Sequence, residues 1–497
     1  MTGDKKPGTH TGQESMTAVL WFRNDLRLDD HEALCDLLVR HDAEVIPVYC
    51  IDARMFEPTE LGFRKTGAYR AQFLIDALKD LRQSLQELGS DLVLLRGRPE
   101  VEVPRFAQRV GASEVGFFEE VTSEEMAVES ALRQACQRQQ IRATGYWGST
   151  LYHVGDLPFY LEDLPDVFTQ FRKKMESQPS IRAPMDRPSH MAPLPDWLDV
   201  GEMVGLEEFG FDEGASRVDA RAAFQGVGGE QAALARVQEY FFELDTLRNY
   251  KQTRNGLIGA NYSSKLSPWL ALGNISPRRV FTEVKRYERE RVSNRSTYWL
   301  VFELTWRDYF RFLAMSEGTK LFKLGGVKCT DYVWRRDQEV FSRWVNGMTG
   351  IPFIDANMRE LACTGFMSNR GRQNVASYLA KSQCIDWRWG ASYFESMLVD
   401  YDPCSNWGNW QYVSGVGNDP RDRRFNVVGQ GERYDEEGKY IKMWVPELGG
   451  LPRDAIHAPW RYGESELQRR FGVVLGEDYP QPLEGPETKG AQQLRLA

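Results

Sequence analysis

The segment "LVDYDPCSNWGNWQYVSGVGND", residues 398–419, places carboxylates, amides and indoles close together. Asp400 and Asp402 lie two residues apart, and Asn406, Trp410 and Tyr412 follow within ten residues. Large aromatic side chains are usually buried, so this composition is not typical of a solvated loop. Eight of the fourteen tryptophans lie between residues 299 and 410, a density that a tryptophan-rich helical core would also explain. The segment therefore indicates either such a core or a partly buried polar site within it.

The chain around this segment has the periodicity of helices from residue 231 to residue 475. Segments such as "EQAALARVQEYFFELDTL" and "TYWLVFELTWRDYFRFLAM" carry apolar residues three and four positions apart, which predicts amphipathic helices. We therefore predict an all-α domain over 231–475 and a loose tail over 476–497.

Residues 17–150 alternate between short apolar strands, such as "AVLWF" and "EVIPVYCI", and helices. Strands separated by helices predict a parallel α/β domain of Rossmann-like type. The first strand is not followed by G-x-G-x-x-G, which argues against a nicotinamide enzyme. Residues 151–230, with five prolines between 179 and 195, are expected to form a long interdomain connector. The polar residues 1–16 are expected to be a disordered leader.

The composition argues against several classes of protein. A net charge of −9 does not suit a nucleic-acid coat protein, although it is compatible with a local basic groove. Seven scattered cysteines without a CxxC pair, and six histidines without metal spacing, predict neither disulfides nor a metal site. No apolar run is long enough to span a bilayer and no signal core is present, so we expect a cytoplasmic protein without membrane contact.

Three further motifs combine polar and aromatic residues. "GANYSSKLSPWLALG" (259–273) offers hydroxyls and a cation before a helix, which suits a pyrophosphate, although an ordinary helix cap explains it as well. "FELTWRDYFRF" (302–312) sets Glu303 four residues before Arg307, an arrangement that an exposed helix ion pair would also explain. "TGFMSNRGRQNVASYL" (364–379) is too polar at its start for a core helix.

Together with "IDWRWG" (385–390), these motifs resemble, in this order, those of the photolyase/cryptochrome family, over about residues 17–475. Within the family, "RGRQNVAS" and "SNWGNWQY" are most similar to the DASH cryptochromes. The resemblance implies an α/β antenna domain, a connector and a helical domain that binds FAD in a bent form.

The resemblance assigns a set of residues to the FAD site. Arg372 matches the arginine that pairs with the carboxylate at Asp400, near the isoalloxazine, and a guanidinium fork suits such a contact. Asn406 matches the residue that faces flavin N5 and is counted with the catalytic residues. The other matched cofactor contacts are Tyr250, Ser263, Ser264, Lys265, Leu266, Ser267, Tyr401 and Asp402.

The implied reaction is the light-driven repair of cyclobutane pyrimidine dimers, in which excited reduced FAD lends an electron to the dimer. Glu303 and Trp306 match the residues that hydrogen-bond and stack on a dimer flipped out of the DNA. The family's tryptophan triad, which carries electrons between the flavin and the surface, is matched by Trp410, Trp387 and Trp334. The DNA-facing rim is expected to include Arg254, Arg307, Arg311, Asn369, Arg370, Gln373 and Tyr412.

Two positions depart from ordinary dimer photolyases. Tyr412 stands where they carry a second stacking tryptophan, and Gln373 stands where they carry methionine. Stacking a base on an aromatic ring contributes about 1–3 kcal/mol, while flipping a nucleotide costs a few kcal/mol. Reduced stacking therefore favours single-stranded DNA as the substrate. Asn369 and Gln373 also stand where six-four photolyases need histidines as proton donors, which argues against that activity.

The antenna pigment implied by the resemblance is methenyltetrahydrofolate, with Glu120 as a matched contact and a deazaflavin or no pigment as alternatives. We expect a monomer that binds DNA. The alternative function is a blue-light photoreceptor or DNA-binding regulator that signals through flavin photoreduction. Glu303 and Trp306 favour the enzyme, because a sensor does not need contacts to a dimer.

Overall fold

The computed structural model describes residues 17–42, 44–178 and 180–484. The predicted leader, residues 1–16, lies outside these residues, as does the end of the chain after residue 484. The N-terminal domain is built on a five-stranded parallel sheet with the strand order β3-β2-β1-β4-β5. Its strands are β1 (Ala18–Phe22), β2 (Val45–Ile51), β3 (Val93–Arg96), β4 (Glu114–Phe118) and β5 (Arg142–Tyr146).

The central strands are buried on both faces, as the apolar run "AVLWF" of β1 requires. Ala18 of β1 is paired with Val45 of β2 on one side and with Glu114 of β4 on the other. The sheet is accompanied by α1 (Glu32–Arg40), α2 (Ala68–Glu87), α3 (Pro99–Arg109) and α4 (Ser123–Arg138). The predicted parallel α/β domain is confirmed.

The connector contains more structure than its composition predicts. Helix α5 (Phe168–Ser177) lies within residues 151–230 and buries Phe168, Phe171 and Met175. Its aromatic side chains pack against those of the helical domain, among them Phe302 and Phe312. Composition alone misses this helix because its apolar partners lie outside the connector.

The C-terminal part is helical, as predicted. Two described helices, Glu230–Val237 and Asn369–Ser377, continue directly into π-helical turns, Gln238–Glu243 and Tyr378–Ser382. The helices are α6 (Glu230–Val237), α7 (Tyr250–Thr253), α8 (Ser267–Ala271), α9 (Pro277–Glu290), α10 (Arg295–Glu317), α11 (Gln338–Val345), α12 (Pro352–Thr364), α13 (Asn369–Ser377), α14 (Trp387–Met397), α15 (Pro403–Ser414), α16 (Val427–Tyr434), α17 (Lys439–Trp444), α18 (Arg453–Ile456) and α19 (Glu464–Phe471).

Helix α10 is 23 residues long and begins with a capping box at Asn294, whose side chain accepts hydrogen bonds from the Ser296 and Thr297 amides. Helix α15 is capped by Asp402, whose carboxylate accepts a hydrogen bond from the Ser405 amide at 2.6 Å. Both helices thus start from strong local signals, and both reach the candidate site.

Buried polar contacts join the two domains. The Arg27 guanidinium donates to the Gly273 carbonyl at 2.9 Å, and Arg278 pairs with Asp30 at 2.7 Å. Asp308 of α10 accepts hydrogen bonds from the amides of residues 151 and 152, at 3.0 and 2.9 Å. Burial raises the pKa of Asp308 to about 7. The chain between the domains is therefore fixed directly to the helix that carries Glu303.

The prediction of a loose tail is wrong for residues 476–484. Tyr479 is buried, and its hydroxyl donates to Asp355 at 2.5 Å. The Leu483 amide donates to the Thr349 carbonyl at 2.8 Å. One aromatic anchor in a polar segment is a weak sequence signal. Among the helices in the described ranges, none combines the length and apolar character that crossing a membrane requires.

Candidate functional site

The helical domain encloses a cavity of about 270 Å³, called here the main cavity. Its walls come from α7, α8, α10, α13 and the segments that precede α8 and α15. Most residues predicted to contact FAD meet there. The predicted site residues among its lining are Tyr250, Arg254, Ser263, Ser264, Lys265, Leu266, Ser267, Glu303, Arg307, Asn369, Arg372, Asp400 and Asp402.

An adjoining inner cavity of about 130 Å³ shares several of these walls and continues toward α14 and α15. It adds the amide of Asn406, which donates a hydrogen bond to the Ala391 carbonyl at 3.0 Å. The predicted residues around it are Asn369, Arg372, Gln373, Asp400, Tyr401, Asp402, Asn406 and Trp410. The structure thus brings the carboxylate, amide and indole groups of residues 398–419 to one place.

The predicted pairing of Arg372 with Asp400 is present, with the two side chains 2.9 Å apart. Ser368 caps α13 by accepting a hydrogen bond from the Gly371 amide, which sets the first turn that carries Arg372. The Asp400 side chain is 2% exposed, whereas that of Arg372 is 25% exposed. A carboxylate this deeply buried requires a cation, and Arg372 supplies it from the cavity side.

Four buried polar atoms around the two cavities have no hydrogen-bond partner within the described residues: Lys265 Nζ, Tyr262 OH, Asp400 Oδ1 and Trp410 Nε1. A buried polar group left unpaired costs about 1–3 kcal/mol. Three of the four atoms can donate a hydrogen bond and the Asp400 oxygen accepts one. The two cavities are therefore suited to a ligand with anionic and hydrogen-bonding groups, which fits FAD.

Lys265 is the most unusual of these groups. Its backbone is left-handed (φ 59°), and its Nζ lies 3.2 Å from the Tyr262 ring centroid and 4.7 Å from that of Phe366. Burial lowers the pKa of Lys265 well below its usual value. Lys265 Nζ has no hydrogen-bond partner among the described residues, so a bound phosphate would supply its closest counterion.

Glu360 lies beneath the main cavity, and sequence reasoning missed it. Its carboxylate accepts a hydrogen bond from the Tyr440 hydroxyl at 2.6 Å. Burial raises the pKa of Glu360 to about 7, against the favourable fields of Lys265 and Arg372. No sequence signal distinguishes it, since a glutamate beside Arg359 in a helix resembles a surface residue. Tyr262 could have been found, because it directly precedes the serine motif.

At the mouth of the main cavity, Arg254 pairs with Glu303 at 2.7 Å. Burial raises the pKa of Glu303, and the nearby Arg254 partly offsets that effect. Arg370 donates to Gln373 at 2.9 Å and to Asn255 at 3.2 Å. Asn369 is exposed beside them. Guanidinium and amide groups therefore surround the mouth, as the prediction of a DNA-facing rim requires.

Trp306 lies three residues after Glu303 on α10, and one of its faces is already covered. The Phe168 ring stacks on it, with centroids 3.6 Å apart and an interplanar angle of 11°. Tyr412 meets it edge-on at 5.7 Å. The predicted stacking on a dimer is thus restricted to what Phe168 leaves open. Sequence reasoning missed Phe168 because it belongs to the connector.

Two of the predicted rim arginines point elsewhere. Arg311 is buried and pairs with Glu120 at the seam between the domains, so its placement on a DNA-facing rim is wrong. Arg307 lines the main cavity, but its guanidinium donates to the carbonyls of Ser149, at the end of the N-terminal domain, and Leu270 of α8, so it is committed to backbone contacts. Periodicity places both on α10 without showing which face meets the N-terminal domain.

Glu120, the predicted folate contact, is buried where β1 and β4 end. It accepts a hydrogen bond from Asn24 at 3.2 Å and pairs with Arg311. Ligands of open parallel sheets bind in a crevice at such a switch point. Here the helical domain fills that crevice with Arg311, so Glu120 has little capacity for a pigment.

A larger cavity of about 400 Å³ lies beside this seam, called here the interdomain cavity. Its lining includes Lys65 and residues 122–125 from the N-terminal side, and Lys323, Tyr401 and Trp407 from the helical side. The cavity also contains the carboxylates of Glu124, Glu125 and Glu395, and Lys65 pairs with Glu124. Lys323 and the Trp407 ring are therefore the groups that suit an acidic heteroaromatic ligand. Sequence reasoning located the neighbouring Glu120 rather than this cavity.

The three tryptophans of the predicted triad differ in depth. Trp387 and Trp410 are buried, whereas Trp334 is partly exposed and meets Tyr332 at 6.1 Å. This increase in solvent exposure agrees with a path for electrons from the inner cavity to the surface. Trp387 also contacts Trp407 edge-on at 5.7 Å.

Comparisons with known proteins agree with this geometry. Residues 18–190 match the protein family described as DNA photolyase, and residues 299–495 match the FAD binding domain of DNA photolyase. The cryptochrome DASH of Gloeobacter violaceus is 50% identical, covering 94% of this chain and 93% of that protein. The cryptochrome DASH of Xenopus laevis is 48% identical, covering 94% of this chain and 90% of that protein.

Solved structures show the same similarity. The Synechocystis cryptochrome superposes with a TM-score of 0.90 at 51% identity, over 94% of this chain and 96% of that one. A class III photolyase from Agrobacterium tumefaciens gives 0.81 at 30% identity, over 96% of both chains. An archaeal photolyase from Sulfolobus tokodaii, described with two FAD molecules, gives 0.76 at 28% identity, over 94% of this chain and 96% of that one.

Proposed function

The chain belongs to the photolyase and cryptochrome family, and from that premise we propose that it is a DASH-type, FAD-dependent lyase. It opens cyclobutane pyrimidine dimers in blue light, preferentially in single-stranded DNA. The observation that carries the proposal is the set of unpaired buried atoms, Lys265 Nζ, Asp400 Oδ1 and Trp410 Nε1, in cavities that open beside Glu303.

The residues that would hold FAD divide into two groups. Lys265 and the hydroxyls of Ser263, Ser264 and Ser267 would bind the phosphates, while Arg372 and Asp400 would hold the flavin ring. When bound, FAD supplies absorption of blue light and one-electron chemistry that side chains lack. The Asn406 amide, fixed by its bond to Ala391, would offer its oxygen to the flavin edge.

The mouth residues would hold the dimer. Glu303 would form hydrogen bonds with a flipped pyrimidine, and Arg254 favours its ionised form against the burial that raises its pKa. Trp306 and Tyr412 would contact the bases, and Arg370 and Asn369 the strand. Trp410, Trp387 and Trp334 would carry electrons between the inner cavity and the surface.

The preference for single-stranded DNA follows from what the mouth offers. One face of Trp306 is covered by Phe168, and Tyr412 provides a smaller ring than tryptophan. The stacking free energy is then smaller than the few kcal/mol that flipping a dimer out of a duplex costs. A dimer in a single strand is not paired with a second strand, so that flipping cost does not arise.

The interdomain cavity is the proposed antenna site. Lys323 suits a carboxylate of a folate, and Trp407 offers a surface for the pteridine ring, whereas Lys65 is already paired with Glu124. We therefore place methenyltetrahydrofolate there rather than against Glu120. Deazaflavin binding to the purified protein, with no binding of the folate, would contradict this choice.

The test is to illuminate purified, FAD-loaded and chemically reduced protein with oligonucleotides that contain a thymine dimer, as single strands and as duplexes. Recovery of thymine absorbance reports repair. Repair of the single strand alone would support the whole proposal, and equal repair of both would remove the strand preference. No repair of either, with FAD bound and reduced, would favour the photoreceptor function, which needs the tryptophans but not the mouth.

A further inference from the structure

The connector contributes an aromatic residue to the mouth of the site. Phe168, the first residue of α5, is buried and stacks on Trp306 at 3.6 Å. We propose that Phe168 is a positioning residue that holds the Trp306 indole ready for a pyrimidine dimer and so sets the selectivity for damaged over undamaged DNA. This inference rests on the proposed function, because it assumes that Trp306 meets the dimer.

The indole of Trp306 is confined on several sides. Phe168 covers one face, Phe310 approaches at 5.5 Å with an angle of 30°, and Tyr309 and Tyr412 meet the ring edge-on at 5.9 and 5.7 Å. Stacked and edge-to-face contacts are the arrangements that aromatic rings prefer. Phe168 is the only one of the four that comes from outside α10 and α15. Its removal would free a whole face and with it the side-chain torsions of Trp306.

Phe168 is itself held by the helical domain. The Tyr309 hydroxyl donates to the carbonyl of Asp166, two residues before Phe168, at 2.6 Å. The Asn418 amide donates to the same carbonyl at 2.8 Å and to the Tyr309 hydroxyl at 3.1 Å. Asn418 follows the helix that carries Tyr412. The connector, α10 and the end of α15 therefore converge on one aromatic cluster.

This arrangement separates selectivity from general affinity. Contacts to phosphates bind damaged and undamaged strands alike. Only a flipped dimer would use the Trp306 indole, and a preformed orientation spares the cost of ordering that side chain on binding. Loss of Phe168 should therefore weaken the binding of dimer-containing DNA and leave that of undamaged DNA almost unchanged.

The test compares Phe168→Ala and Phe168→Tyr with Phe171→Ala as a matched control. Phe171 lies on the same helix and is fully buried. It contacts Phe159, Phe168, Tyr309 and Phe312, and no ring contact joins it to Trp306 within the described chain. The FAD-loaded full-length protein is titrated in the dark, by fluorescence anisotropy, against single strands with and without one thymine dimer. The readout is the ratio of the two dissociation constants.

We expect Phe168→Ala to lower the selectivity ratio about fivefold to tenfold, a fraction of what a lost base stack causes. Phe168→Tyr should keep the ratio, and Phe171→Ala should keep it while lowering the unfolding temperature. Equal ratios in Phe168→Ala and wild type, or equal losses in Phe168→Ala and Phe171→Ala, would overturn the inference. If Phe168→Ala does not accumulate as folded protein, Phe168→Leu replaces it with the same expectation. A wild-type ratio of one would instead refute the proposed function.

Discussion

Four arginines resemble one another in sequence and differ in the structure. Arg307 and Arg311 of α10 bind the seam between the domains, whereas Arg254 and Arg370 lie at the mouth of the main cavity. The family resemblance predicts a place on a DNA-facing rim for all four. The difference shows that the role of an arginine depends on what its side chain packs against in the folded protein. Residue type and spacing in the sequence do not specify that neighbour.

The two groups also differ in energetic terms. Arg311 and Glu120 are both almost fully buried, so removing one partner leaves a charge without compensation. Arg254 and Glu303 are 17% and 30% exposed, and water can partly replace either partner. Substitutions at the seam should therefore lower the stability of the protein. Substitutions at the mouth should mainly weaken DNA binding.

The largest expected effect is at the seam. Arg311→Met should lower the free energy of unfolding by about 3–5 kcal/mol, because Glu120 remains buried and unpaired. Urea denaturation followed by circular dichroism measures it. Arg254→Met is the matched control and should cost less than about 1 kcal/mol. Equal losses in the two variants would remove the distinction between seam and mouth.

A second prediction concerns Glu360, a buried acid near the main cavity that forms no ion pair with an arginine among the described residues. Its pKa is raised from 4.5 to about 7, so the folded protein retains a proton that the unfolded chain releases. Its stabilising contribution is complete below pH 4.5 and is lost as the pH rises through 7, by about 3 kcal/mol in total.

The unfolding temperature of the wild type should therefore fall relative to that of Glu360→Gln between pH 5 and pH 8, at the same FAD concentration. Parallel curves for the two proteins would show that Glu360 keeps an ordinary pKa.

The pair Arg372–Asp400 combines burial with access to the cavity, so its loss should appear mainly in cofactor affinity. Asp400→Asn should weaken FAD binding by at least about tenfold, since a hydrogen bond to a charged group contributes about 1.5–3 kcal/mol. The recovery of flavin fluorescence on dilution measures the dissociation. Arg372→Lys keeps the charge but loses the fork and should show a smaller loss. Unchanged affinity in both would remove the pair from the cofactor site.

The smallest effect on stability is expected at the mouth. Arg370→Gln should reduce the dependence of single-strand affinity on salt by a slope of about 0.7, the value for one phosphate contact, because Arg370 bonds to the neutral amides of Gln373 and Asn255 and keeps its charge for the strand. Arg307→Gln should leave that slope unchanged, because its guanidinium binds backbone carbonyls. Titrations at several salt concentrations measure both. A change in slope for Arg307→Gln would place that arginine on the DNA after all.

Much of the architecture could be predicted because its signals are local. The all-apolar β1 and the three- and four-residue spacing of α10 define the two domains, and the serine motif and residues 398–419 define the cavity walls. Phe168, Glu360 and the partner of Arg311 could not be predicted, because their roles depend on contacts between segments far apart in the chain. The burial of Tyr479 was not predicted for the same reason, since its partner Asp355 lies 124 residues away.

The two π-helical turns described above have a consequence for how this protein tolerates insertions and deletions. Such a turn holds one more residue than an α-helical turn, and one residue rotates a helix by about 100°. Deleting a single residue from Tyr378–Ser382 would restore regular α-helix and rotate the start of α13, which carries Arg372, relative to the chain that leads into α14. Residues 238–243 and 378–382 should therefore accept substitutions far more readily than changes in length, and alignment gaps within them would mark chains with a different cofactor geometry.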